Sequence, residues 1–197
     1  YWPPNVPRHY RAPATPLIDN LFTSARRYPD KAALVFLQRT TSYAELLSQV
    51  ERFAAYLQQL AVKRGDRVVL MMQNAPQLVV AHLGILRADA VVVPVNPMNR
   101  AHELGHYITD PQAKVAVVAD DLAPYLAEAN GHLSADVQLA HVVLAHYADA
   151  ASGADDPALP TPEAWRTWFE APVPPCDWGP TQAHLWTDVM ACTVAPG

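Results

Sequence analysis

Between Gly65 and Pro97 the apolar positions change rhythm twice, and the change predicts a strand, a helix and a second strand within 33 residues. Val68 to Met72 is an unbroken apolar run of strand length, and Ala90 to Val93 is another, rich in β-branched side chains that suit a pleated surface. Runs without polar alternation predict strands covered on both faces. Between them, Asn74 is placed to cap a helix, Gln77 to complete a capping box, and Pro76 to occupy the first turn, where a missing N–H costs little. Leu78, Val79, Leu83, Ile85 and Leu86 give that helix a wide apolar face. A helix that returns the chain to a parallel neighbour makes a right-handed crossover, the repeating unit of a layered α/β sheet.

The same rhythm extends in both directions. Upstream, Thr15-Pro16 reads as a cap and first turn, and Leu17, Ile18, Leu21, Phe22, Ala25 and Tyr28 continue at helical spacing until Pro29-Asp30. Ala32 to Leu37 and Thr40-Thr41 read as paired strands around a Gln38-Arg39 turn. Ser42-Tyr43-Ala44-Glu45 is a capping box that opens the longest helix, with Leu46, Val50, Phe53, Leu57 and Leu60 as its stripe. Downstream, Asn99 is the expected cap of a helix that ends before Asp110-Pro111, and Val115 to Val118 is a further strand. Asp120 and Asp121 suit the positive start of a helix closed by Gly131, and Leu139 to Ala145 is the last expected strand. The fold class is therefore α/β, a layered, mostly parallel sheet with helices on both faces. The strands around Leu70, Val92 and Val117 are expected side by side.

Three segments follow. Residues 1–14, with Pro3, Pro4, Pro7 and Pro13, read as an extended arm; 15–146 as the α/β subdomain; and 147–197 as an acidic, Pro-rich linker leading into a further subdomain. Within the last, ASGADDPALPTP is a linker or surface loop and Pro162 to Phe169 a short helix carrying Trp165 and Trp168. The chain begins at Tyr1 rather than Met and finishes on the loop-like Thr193 to Gly197, so a piece of a longer protein is expected.

At 197 residues and 51% hydrophobic content the chain can bury a sizeable core. Its net charge of −5 is uneven: residues 1–146 hold 13 basic and 12 acidic side chains, residues 147–197 only 1 basic against 7 acidic. This balance argues against a nucleic-acid partner, which would need a basic patch. No run approaches the ~20 apolar residues of a membrane span, and a cytoplasmic protein is expected. Cys176 and Cys192 have neither disulfide-framework density nor metal-ligand spacing and read as free thiols.

Alternating strands and helices invite a nucleotide-binding reading, but the seven glycines form neither G-x-G-x-x-G nor G-x-x-x-x-G-K-[ST]. Lys31, Lys63 and Lys114 each sit at the edge of an element and read as solvated. His102-Glu103-Leu104-Gly105-His106 matches H-E-x-x-H, which in a metallopeptidase puts two imidazoles on zinc beside a general base. Both histidines fall roughly opposite the stripe of Ala101, Leu104 and Ile108, and Glu128 is the one well-spaced third ligand. A zinc metallopeptidase is thus an alternative, with a solvated histidine face as the plainer reading. His82, His141 and His146 read as packing residues, since nothing nearby in the sequence orients them.

Four separated blocks, PDKAALVF from Pro29, TSYAELL from Thr41, GDRVVLMMQNAPQ from Gly65 and LRADAVVVPVNPMNRAHELGHYITDPQAK from Leu86, together resemble the opening half of an AMP-forming acyl-CoA synthetase of the adenylate-forming superfamily. The resemblance covers about residues 15–145. It departs from the family at Ala61 and Asp89, where glycine is usual. It implies that the chain is the first subdomain of the family's N-terminal domain, from an enzyme that activates a carboxylic acid with ATP and Mg2+ and passes the acyl group to coenzyme A. The NPMNR wording is similar to fatty-acyl ligases, so a fatty acid is the implied substrate. The family's phosphate loop, ribose-binding aspartate and catalytic lysine have no counterpart here, so no catalytic, cofactor-binding or metal residue is assigned and the 197 residues alone are expected to be inactive. The alternative within the same fold is a non-catalytic binding or dimerising module, and a surface left bare by a missing subdomain allows a homodimer.

Overall fold

The computed structural model describes residues 2–9, 12–37, 39–151, 162–169, 171–172 and 174–193. Residues 2–9 are exposed and turned rather than fully extended, with Trp2 Nε1 donating to the Val6 carbonyl at 2.7 Å. Helix α1 (Asp19–Arg27) leads to an antiparallel pair, β1 (Ala32–Phe36) and β2 (Arg39–Ser42), and then to α2 (Tyr43–Gln59). The main sheet is built from β3 (Arg67–Met71), α3 (Pro76–Arg87), β4 (Val91–Pro94), α4 (Ala101–Thr109), β5 (Val115–Ala119), α5 (Ala123–Gly131) and β6 (His141–Ala145). Short helices α6 (Ala148–Ala151) and α7 (Glu163–Phe169) precede β7 (Gln182–Leu185) and α8 (Trp186–Met190).

The five strands run parallel in the order β4-β3-β5-β6-β7. β3 lies between β4 and β5, with Val68 opposite Val92 and Leu70 opposite Val117. The chain thus steps from β3 to β4 in one direction and returns past β3 to β5 in the other. Crossovers of one hand taken in opposite directions put their helices on opposite faces. Accordingly α3 packs on α2, while α4 packs on α5. Both faces of β3 and β5 are covered, and every residue of β5 is buried.

The capping box at Ser42 forms as expected: Glu45 N donates to Ser42 Oγ at 3.2 Å and Ser42 N to Glu45 Oε2 at 2.7 Å. Other local expectations change where tertiary contacts intervene. α1 begins at Asp19, because Asp19 N donates to the Pro16 carbonyl in a tight turn, and Leu17 is left 58% exposed. Ala75, not Asn74, is the N-cap of α3, since the Gln77 amide reaches across to the His146 carbonyl (2.9 Å) instead of back to the cap. The deeply buried face of α3 is Gln77, Val80, Ala81, Gly84 and Ile85, turned from the expected leucine stripe toward α2. α4 is capped at Arg100, whose N–H donates to Glu103 Oε2 at 2.9 Å, one residue after Asn99. β4 is an edge strand: Val91 is 46% exposed, and Pro94 is tolerated there because an edge strand has a side that needs no donor.

The sheet also continues past residue 146. β7 pairs in parallel with β6, and its sequence, QAHL, is too short and too polar to stand out as a strand. The ASGADDPALPTP loop falls, apart from its ends, outside the described residues.

Ala61 and Asp89 both adopt positive φ, 61° and 57°. A Cβ there crowds the following carbonyl, and glycine removes that strain at the cost of backbone entropy. Replacing Ala61 by glycine is expected to stabilise the chain by about 0.5–1 kcal/mol, read as a rise in thermal midpoint by calorimetry. An unchanged or lower midpoint refutes the assignment of strain to this turn.

Candidate functional site

In an open parallel sheet, ligands bind beyond the carboxyl ends of the strands where the strand order reverses. Here the reversal lies between β3 and β5, and the residues just past the ends of β3, β5 and β6 are Met72-Gln73, Asp120-Asp121 and His146-Tyr147. Ala119 is opposite Ala145, so the same register sets Asp120 beside His146.

His146 Nδ1 bonds the Asp120 carboxylate, and Nε2 bonds the Phe169 carbonyl at 2.9 Å. A carbonyl and an ionised carboxylate only accept, so a ring with hydrogen on both nitrogens satisfies both contacts and the arrangement favours the imidazolium. Burial opposes that charge, but the Asp120 hydrogen bond and charge, the Phe169 carbonyl and Asp149 together hold His146 above its ordinary range. Burial raises Asp121, helped by the like charge of Asp120, and also raises Asp149. Tyr147, 3% exposed, accepts from Gln73 N at 2.7 Å and packs against Trp168 with ring centroids 4.6 Å apart at a tilt of 38°. The space enclosed by Asp120, His146, Tyr147, Trp168 and Phe169 is only about 70 Å³, and both ring nitrogens of His146 are engaged. This cluster is a clip that holds α7 to the sheet.

Gln77 links the clip to a larger cavity of about 340 Å³, lined by Arg39, Thr41, Gln49, Arg52, Gln77 and Asp149 and floored by Trp186 and Met190. Its position past the strand ends, with cationic and amide groups over an apolar floor, makes it the candidate binding site. Gln77 is 2% exposed, and its amide N–H on the His146 carbonyl fixes the orientation of the group. Its Oε1 is buried with no partner among the described residues. Arg52 Nη1 donates to the Met190 carbonyl at 3.2 Å, tying α2 to α8 across the opening.

A second polar cluster lies along β6 and β7. His141 Nδ1 is 3.1 Å from His184 Nε2, and His184 Nδ1 is 2.9 Å from the Tyr56 hydroxyl on α2. Burial lowers both imidazoles below their ordinary range and raises Tyr56 above its own.

His102 and His106 stand exposed on α4 with ring centroids 6.3 Å apart, and Glu103, the base of the peptidase alternative, is engaged in capping α4. Glu128 is exposed on α5. His141 and His146 do have orienting partners. They escaped the sequence because Tyr56 and His184 are remote in the chain, and because Asp120 meets His146 only once β5 and β6 are paired.

The positive-φ glycines among the described residues, Gly65 and Gly179, are far apart in the chain. No group of three or more His, Cys, Asp or Glu side chains among the described residues is placed to hold a metal, and no described helix is long and apolar enough to cross a membrane.

A family model described as "AMP-binding enzyme" matches residues 21–185. Among curated proteins, the chain is 38% identical over 139 residues to a long-chain-fatty-acid–CoA ligase of Escherichia coli O6:H1, covering 70% of this chain and 24% of that protein. It is 35% identical over 123 residues to the ligase of the same name from Bacillus subtilis, covering 62% and 22%. The chain therefore spans about a quarter of the length of these relatives. Solved structures with the same fold include a benzoate CoA ligase from Burkholderia xenovorans LB400, with a TM-score of 0.64 and 20% identity over 91% of this chain and 29% of that one. Another is a long-chain-fatty-acid-CoA ligase from Archaeoglobus fulgidus, with a TM-score of 0.60 and 20% identity over 68% and 28%.

Proposed function

The chain belongs to the AMP-binding enzyme family, and from that premise we propose that it is the N-terminal part of an AMP-forming acyl-CoA synthetase. The whole protein activates a fatty acid with ATP and Mg2+ to an acyl-adenylate and transfers the acyl group to coenzyme A. The observation that carries this reading is the identity of 35–38% to proteins named long-chain-fatty-acid–CoA ligase.

Within that enzyme, this chain's task is to position, not to react. ATP supplies the adenylyl group and coenzyme A the accepting thiol, and no step is routed through the described residues. They contribute a rigid parallel sheet and, beyond its carboxyl edge, the cavity bearing Arg39, Arg52 and Gln77. Arginine side chains there favour an anionic group, while Trp186 and Met190 present apolar surface.

The test is ATP–pyrophosphate exchange with a panel of fatty acids. The whole protein is expected to exchange and the 197-residue chain to show only background. Exchange by the isolated chain would place the missing phosphate-binding groups within it. An inactive whole protein would favour a non-catalytic module of the same fold.

A further inference from the structure

We propose that His141 and His184, side by side on β6 and β7, form a two-imidazole site for a divalent transition-metal cation such as Zn2+, Ni2+ or Cu2+. His141 is in register with Gln182, so His184 lies two residues further along the neighbouring strand. Side chains on a strand alternate faces, and a two-residue offset returns both imidazoles to the same one. There they converge, His141 Nδ1 and His184 Nε2 lying 3.1 Å apart.

That separation suits a shared cation. With metal–nitrogen bonds of about 2.0–2.1 Å, two nitrogens 3.1 Å apart subtend roughly 98° at the metal, between the octahedral and tetrahedral angles. Without a metal, one of the two nitrogens must donate to the other. Binding needs both lone pairs free, and the third member of the chain makes this attainable without loss of a proton. If His184 carries its hydrogen on Nδ1, it donates to the Tyr56 oxygen, 2.9 Å away, and Nε2 is released. The tyrosine hydroxyl both donates and accepts, so it serves either arrangement by rotating. A ligating histidine whose other N–H is held by an oxygen is the usual outer shell of a metal site.

Access and charge are compatible with this. Both rings are part-buried, and His141 lines a cavity of about 120 Å³ with Asp66, Arg67, Gln112 and Lys114, through which water can complete the coordination. The two cations there are directed elsewhere: Lys114 Nζ to the Asp136 carbonyl at 2.6 Å, and Arg67 to the carbonyls of Pro111 and Gly65. Imidazole nitrogen selects Zn2+, Ni2+ and Cu2+ over hard cations such as Mg2+.

The test is calorimetric titration of the whole chain with NiCl2, ZnCl2 and MgCl2. Because His102 and His106 are a second exposed pair on α4, His102→Ala/His106→Ala is the background. One equivalent of Ni2+ or Zn2+ is expected to bind in that background, with no Mg2+ heat. Binding is expected to be lost in His184→Ala, and to weaken about tenfold in Tyr56→Phe, the size of effect usual for an outer-shell partner. Tyr56→Phe keeps both ligands and the packed ring, so it reads the site even if the histidine variant fails to fold. Paramagnetic Ni2+ is also expected to broaden the His141 and His184 ring signals in NMR spectra. Absence of a bound equivalent in the background variant overturns the proposal, as does affinity unchanged by Tyr56→Phe together with unbroadened His141 and His184 signals.

Discussion

Alanine at position 84 is expected to destabilise the protein although it is the better helix former. A glycine inside a helix costs about 0.5–1 kcal/mol relative to alanine, so on propensity alone Gly84→Ala should help. A Cβ built on Gly84 lies 2.6 Å from Phe53 Cδ1, 3.1 Å from Phe53 Cβ and 3.2 Å from Phe53 Cγ. Phe53 cannot easily withdraw: it is fully buried, and its ring packs on Trp186 at 5.3 Å between centroids. Overpacking of this kind costs about 1–3 kcal/mol and sometimes more. The expected net loss is about 1–2 kcal/mol for Gly84→Ala, and about 3 kcal/mol or more for Gly84→Val. Urea unfolding of the three proteins checks it. A more stable Gly84→Ala would mean that α2 and α3 can part without cost.

Removing the His146 imidazole is expected to weaken the protein strongly, and more at pH 6 than at pH 9. Asp120 is 5% exposed, and its carboxylate is left without its cationic partner in His146→Ala, while α7 loses the hydrogen bond to Phe169. Breaking a buried pair costs about 3–5 kcal/mol; with a quarter of the His146 side chain exposed we expect about 2–3 kcal/mol at pH 6. The folded state holds the proton on His146 more tightly than the unfolded state does. The stability gained from this charge is therefore complete below the unfolded value, near 6.5. It fades as pH rises through the higher folded value. The difference between wild type and variant should thus shrink from pH 6 to pH 9. A difference that grows with pH would show the ring to be neutral in the fold.

The same two positions mark how far the sequence could be read. An isolated glycine in a helical pattern hints at close packing, but not at which side chain comes close; Phe53 lies 31 residues away in the chain. The aspartates after β5 read as helix-start residues because local electrostatics favour them there. In the fold α5 begins at Ala123, and Asp120 turns instead to His146, just past the end of the next strand. Gln77 fits a capping box equally well until the His146 carbonyl is brought within reach.

By itself the sequence determined the α/β class, the parallel run through Leu70, Val92 and Val117, the capping box at Ser42, and the family. These follow from interactions within a few residues, or from the periodicity that burial imposes on one element at a time. Only the tertiary structure decided the strand order, the place of QAHL as the fifth strand, the face that α3 buries, and the partners of His141, His146 and Gln77. The physical reason is common to all of them. A polar side chain has several hydrogen-bonding options of similar energy along its own segment, and a short strand has little propensity of its own. The choice falls to groups that pairing and packing bring near from 23 to 128 residues away.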